Sequence, residues 1–122
     1  VIRHPTAGSR EGRVGITAFA SACSTELEDL DALADRMTAV SVTVYETASP
    51  VGGGASLRMC GLKVPIEQDS TGRVGQEFRV RGFPTFFVTD ALGRIRFEHS
   101  TVAELPRQIQ ALQLTSMHAA AD

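Results

Sequence analysis

Apolar and polar positions follow one another along this chain in short blocks of changing period. Gly15-Ile16-Thr17-Ala18-Phe19-Ala20 is an almost unbroken apolar run, the pattern of a buried strand. From residue 25 the period lengthens: Leu27, Leu30, Leu33, Ala34 and Met37 recur at helical spacing and predict an amphipathic helix over 25–38. Glu26, Glu28 and Asp29 in its first turn suit the positive end of a helix dipole. Val40-Ser41-Val42-Thr43-Val44-Tyr45 alternates and is β-branched, predicting a second strand. After a glycine-rich loop over 49–54 comes a weak helix at about 55–60, closed by Gly61. Val64-Pro65-Ile66-Glu67 reads as a third strand, with Pro65 arguing for an edge position or a strand start. A short helix at 74–78 follows. Strands at 85–89 and 94–98 are then joined by the turn Asp90-Ala91-Leu92-Gly93 as an antiparallel hairpin. Leu105, Ile109, Leu112 and Leu114 mark a last helix. Thr101 and Glu104 fit a capping box there, although Pro106 leaves its start open. The order β-α-β-α-β-α-β-β-α predicts an α/β fold, with a mixed sheet of about five strands flanked by helices.

Composition narrows the picture little. The 122 residues suit a single domain over 1–122, with an ordered core at about 12–114, a loose lead-in at 1–11 and a frayed tail at 116–122. An apolar fraction of 43% and a charged fraction of 21% are those of an ordinary globular chain. The net charge of −2 gives no reason to expect nucleic acid or an anionic membrane as partner. No apolar run approaches the roughly 20 residues that cross a bilayer. The opening Val1-Ile2-Arg3-His4-Pro5 is no signal peptide, so the stretch reads as a trimmed or processed piece. Two cysteines, Cys23 and Cys60, are too few for a disulfide scaffold. His4, His99 and His118 lack metal-ligand spacing, and neither metal nor cofactor is assigned.

Two segments hold the chemistry. In Phe19-Ala20-Ser21-Ala22-Cys23-Ser24-Thr25-Glu26 a cysteine stands where a buried strand turns into a helix. Ligands and reactive groups gather at that edge of a parallel sheet. Unpaired backbone N–H groups and the helix dipole there lower a thiol pKa and favour the thiolate. The bland reading is a small buried hydrophobe. In the second segment, Val80-Arg81-Gly82-Phe83-Pro84-Thr85-Phe86-Phe87-Val88, a proline opens an apolar strand. Spacing alone suggests a trans Phe83–Pro84 bond, as most X-Pro bonds are trans.

Taken together, these segments resemble the TlpA-like thioredoxin-fold thiol–disulfide oxidoreductases. In that family a strand ends in A-S-W-C-x-x-C and leads into a helix; here the string is Ala20-Ser21-Ala22-Cys23-Ser24-Thr25-Glu26. Residues 72–85 look like the family's approach to its cis-proline, and 88–95 like its final hairpin. The likeness covers about residues 12–114. It implies a thioredoxin-like fold, an attacking thiol at Cys23, and a groove for an extended peptide lined by Phe83 and Pro84. It also implies protein or small-molecule thiols and disulfides as partners, and a place outside the cytoplasm behind a signal or membrane anchor.

The departures from the pattern shape the expected chemistry. Glu26 stands where the resolving cysteine belongs, and Ala22 replaces the tryptophan. Glu26, Glu28, Asp29 and Asp31 oppose ionisation of Cys23, while Ser24 and Thr25 at the helix start and Arg79 and Arg81 near Pro84 are candidate modulators. No intramolecular bridge to Cys60 is expected without rearrangement. A third strand of about six residues would hold Cys60 roughly 20 Å from the reactive edge, against the about 4.4–6.8 Å between bridged Cα atoms. Cys60 is therefore expected to be a packed structural thiol. The resulting expectation is a monothiol redox domain that needs an external resolving thiol. Its rivals are a redox-inactive binding module on the same fold and, third, a peroxiredoxin-like peroxidase. Against the last, Ala20 stands where that family has Thr or Ser. An exposed, ionised Cys23 separates the first reading from the second.

Overall fold

A computed structural model describes residues 12–47 and 57–121, with side chains to residue 115. The expected lead-in, the glycine-rich loop, the first two residues of the weak helix and the side chains of the expected frayed tail lie outside the described residues. The strands are β1 Val14–Ala20, β2 Val40–Thr47, β3 Ile66–Asp69, β4 Thr85–Thr89 and β5 Ile95–Ser100. The helices are α1 Thr25–Arg36, α2 Arg73–Phe78 and α3 Leu105–Ala121, with 3₁₀ turns at Leu57–Cys60 and Val102–Glu104. The sheet order is β3-β2-β1-β4-β5, with β1, β2 and β3 parallel and β4 and β5 antiparallel to their neighbours. This is the mixed five-stranded α/β sheet of a thioredoxin fold.

β1 is the central strand, and all seven of its residues are buried. Successive side chains of a strand point to opposite faces, and β1 uses both. Ile16, Ala18 and Ala20 join a core with Leu27, Leu30 and Leu33 of α1 and Leu105, Ile109 and Leu112 of α3. Phe19 joins a second core with Phe87, Ile95, and Val74 and Phe78 of α2. β4 splits the same way, Phe86 and Val88 to the first core and Phe87 to the second. Gly15 lets β1 and β4 close up: a Cβ there would meet Thr89 Oγ1 at 2.8 Å.

Element ends show where local chemistry overrules pattern. The third strand begins at Ile66 rather than Val64, because the N–H groups of Lys63 and Val64 donate to Asp31 Oδ1 at 2.9 and 3.0 Å. Val64 itself is buried in the first core, and the Pro65 carbonyl accepts the Val44 N–H. Pro65 thus immediately precedes an edge strand. The Thr101–Glu104 capping box forms, with the Glu104 carboxylate accepting from the Thr101 N–H at 2.8 Å. It opens a 3₁₀ turn that passes into α3, and Pro106 sits at the second position of that helix, where no intrahelical N–H is needed.

The β4–β5 turn is organised by one buried carboxylate. Asp90 accepts the N–H groups of Leu92 and Arg94, both at 3.0 Å, and the guanidinium groups of Arg94 at 2.9 Å and Arg96 at 3.3 Å. Burial alone would raise its pKa, but the hydrogen bonds from Arg94, Leu92 and Arg96 outweigh it and hold the carboxyl below the usual range. A depressed folded-state pKa contributes stability above the unfolded value that is lost as pH falls through the folded one. Asp90→Asn should therefore cost about 1–3 kcal/mol at neutral pH, with the gap to the parent closing in acid below the ordinary aspartate pKa. Urea melts at neutral and acid pH check this; an equal gap at both would refute the charge-assisted clamp.

Candidate redox site

The site is built at the carboxyl edge of the parallel strands. β1 ends at Ala20, whose sheet partner on one side is Glu46 of β2. On the other side Phe19 pairs with Thr85, which places Pro84 level with Ala20. The Thr47 hydroxyl approaches the Ala20 carbonyl at 3.4 Å. The chain then turns through Ser21 and Ala22 into Cys23, and α1 starts two residues later. Ser24 is its N-cap, with Oγ accepting the Leu27 N–H at 3.3 Å. That cap fixes the helix start and so places Cys23 directly ahead of the first turn.

Cys23 is bonded to Cys60, with the Cα atoms 5.8 Å apart. This overturns the expectation that the two were a strand length apart and that Cys60 was a packed, unbridged thiol. Two assumptions failed. β3 has only four residues and pairs with the second half of β2, from Val44 to Thr47, so its start is not a full strand away from the edge. The segment before it also runs alongside α1: Cys60 lies at Cys23, ahead of the helix, and Lys63 and Val64 reach Asp31 further along it. Cys60 therefore begins at the reactive edge. Cys23 is exposed, while Cys60 is half-buried against the first core.

The other expected residues divide clearly. The Phe83–Pro84 peptide bond is cis, as the family resemblance implies and spacing alone does not. Phe83 is 50% exposed, although a large aromatic is usually covered. It lines a cleft of about 410 Å³ together with Thr47, Asp69, Gly75, Arg79 and Val80. Thr25 opens α1, and Glu26 and Glu28 lie exposed in its first turn, where they oppose negative charge on Cys23. Asp31, two turns into α1, accepts the Lys63 and Val64 N–H groups. Arg79 and Arg81 are exposed, and neither makes an ion pair among the described residues. Arg79 follows α2 in the left-handed region at φ 59° and shares the cleft with Phe83. No group of three or more His, Cys, Asp or Glu side chains is arranged to hold a metal among the described residues.

Sequence reasoning missed the buried carboxylates around this edge. Glu46 accepts the Leu57 N–H at 2.8 Å and the Gln68 side-chain amide. Asp69, at the end of β3, accepts the Val74 and Gly75 N–H groups at 3.1 and 2.9 Å and secures the start of α2. An acidic residue near the end of an alternating strand, as in Val44-Tyr45-Glu46-Thr47, was the available signal.

No protein-family model matches the sequence, and no curated protein matches it either. Solved structures do. The exposed lipoprotein thioredoxin of Streptococcus pneumoniae is 20% identical, with 84% of this chain and 87% of that one covered and a TM-score of 0.65. A secreted Mycobacterium tuberculosis disulfide oxidoreductase, described as homologous to Escherichia coli DsbE, is also 20% identical, with 84% of each chain covered and a TM-score of 0.65. A thiol-disulfide isomerase from Corynebacterium glutamicum is 16% identical over 84% of this chain and 81% of its own, with a TM-score of 0.66. At these identities the likeness establishes the thioredoxin fold.

Proposed function

We propose that the chain is a thiol–disulfide exchange domain whose redox pair is Cys23 and Cys60. The observation that carries this is the bridge itself: an exposed cysteine ahead of α1, joined to a half-buried one at the carboxyl edge of the sheet. The exposure of Cys23 also speaks against an inert buried thiol and so against a purely binding role.

In the reduced form Cys23 acts as thiolate and attacks one sulfur of a substrate disulfide. A Cys23–substrate bond forms, the substrate S–S bond breaks, and the departing thiolate takes up a proton. Cys60, deprotonated in its turn, attacks Cys23 Sγ, closing the Cys23–Cys60 bond and releasing the second substrate thiol. Two electrons pass to the substrate, and an external dithiol or two external thiols, oxidised to a disulfide, restore them to the protein. Attack in the reverse direction falls on Cys23, the accessible sulfur. α1 favours the thiolate through its N-terminal dipole, and Glu26 and Glu28 work against it. Phe83 and Pro84, at the strand end level with Ala20, line the substrate groove. Substrates are thiols or disulfides of proteins or small molecules. Two of the similar proteins are named as an exposed lipoprotein and a secreted oxidoreductase; we place this chain outside the cytoplasm as well, where disulfides persist.

The test is to reduce the protein, mix it with a disulfide-bonded reporter peptide, and follow both partners by mass spectrometry. Reporter reduction with stoichiometric closure of Cys23–Cys60 is the expected result. Thiols that stay free beside an intact reporter would remove the proposal, as would consumption of hydrogen peroxide faster than reporter reduction.

A further inference from the structure

Cys60 sits in a segment held at both ends by carboxylates from other elements. At the front, Leu57 begins the 3₁₀ turn Leu57–Cys60; its side chain is fully buried and its N–H donates to Glu46 Oε2 at 2.8 Å. Behind, the Lys63 and Val64 N–H groups donate to Asp31 on α1. Lys63 also reaches Asp35 at 2.8 Å, but that pair is exposed on both sides and holds little. Glu46 differs: it is 9% exposed and also takes the side-chain amide of Gln68. It is the sheet partner of Ala20, three residues before Cys23. One buried carboxylate thus ties the strand end leading to Cys23 to the turn carrying Cys60.

The geometry points to Glu46, with Asp31 in support, as the positioning residue that keeps Cys60 within reach of Cys23 after the disulfide opens. Closing a bond between groups already in place costs little ordering entropy, which raises the effective concentration of one thiol beside the other. Without Glu46 the reduced turn gains freedom that closure must take away again. The oxidised form is held by the bond itself, so the change falls on the equilibrium between the two forms. This inference rests on Cys23 and Cys60 being the redox pair.

Equilibration of the full chain with oxidised and reduced glutathione tests it, since protein dithiol plus glutathione disulfide gives protein disulfide plus two glutathione thiols. Glu46→Ala should lower that equilibrium constant about tenfold through loss of a buried charge-assisted hydrogen bond. Glu46→Gln should lower it less and Asp31→Asn a few-fold, with the exposed Glu67→Ala as an unchanged control. A merely structural Glu46 would lower the melting temperatures of oxidised and reduced protein equally and leave the constant alone. A constant within twofold of the parent in Glu46→Ala, or in Glu46→Gln if the alanine variant does not fold, overturns the inference. The constant is read without any protein substrate. A failure to exchange with reporter disulfides would therefore strike the proposed function while leaving this result standing.

Discussion

Cys60→Ser is expected to convert a turning-over protein into one that traps its substrate. Cys23 still attacks a reporter disulfide, but nothing within the chain attacks Cys23 Sγ in return. Even an effective concentration on the order of 1 M, far below the roughly 10⁵ M that well-oriented intramolecular reactions reach, exceeds millimolar external thiol about 10³-fold, so resolution should be slower by at least that much. A non-reducing gel should show a covalent one-to-one complex that dithiothreitol dissolves. Cys23→Ser should show no complex, because Cys60 is half-buried against the first core. Turnover of Cys60→Ser at the parental rate would return the resolving role to an external thiol. Stable capture instead assigns that role to Cys60 and explains why Glu26 can occupy the position where the related pattern has its second cysteine.

What the sequence alone makes legible depends on whether the deciding interaction is local. β1 and β4 were legible because apolar runs flanked by turns can do little else in a small α/β chain, and α1 because three leucines at helical spacing need one buried stripe. The Thr101–Glu104 cap lies within one turn and formed as expected. What escaped was non-local. Val64 looked like a strand residue until Asp31, 33 positions earlier, took its N–H. A six-residue third strand would separate Cys60 from the edge, yet β3 has four residues and the segment from Cys60 to Val64 runs alongside α1. Cys23 was legible because strand, cysteine and helix start are contiguous; its partner, 37 residues away, was not. Pro84 was visible as a strand opener, and its cis isomer was legible from the family resemblance but not from spacing.

Phe19→Ala should show how closely the fold and the redox pair depend on each other. Phe19 is fully buried and stacks on Tyr45 at 5.5 Å, meets Phe78 at 5.3 Å and sets its ring edge-to-face with Phe87 at 5.7 Å. Truncation empties the middle of the second core, at a cost of about 3–5 kcal/mol, while domains of this kind are stable by only about 5–15 kcal/mol. The Cys23–Cys60 bond closes a loop with a sequence separation of 37. In the chain-entropy account that adds roughly 4 kcal/mol. The oxidised variant should remain folded with a lowered melting temperature, whereas the reduced variant loses both contributions and should be largely unfolded at 37 °C. Circular dichroism melts of oxidised and reduced Phe19→Ala beside the parent decide it. Two variant forms that melt together would mean that the bridge adds nothing to stability. The bond would then have to be explained by exchange chemistry alone, because a link that costs nothing to open serves a redox cycle and not a scaffold.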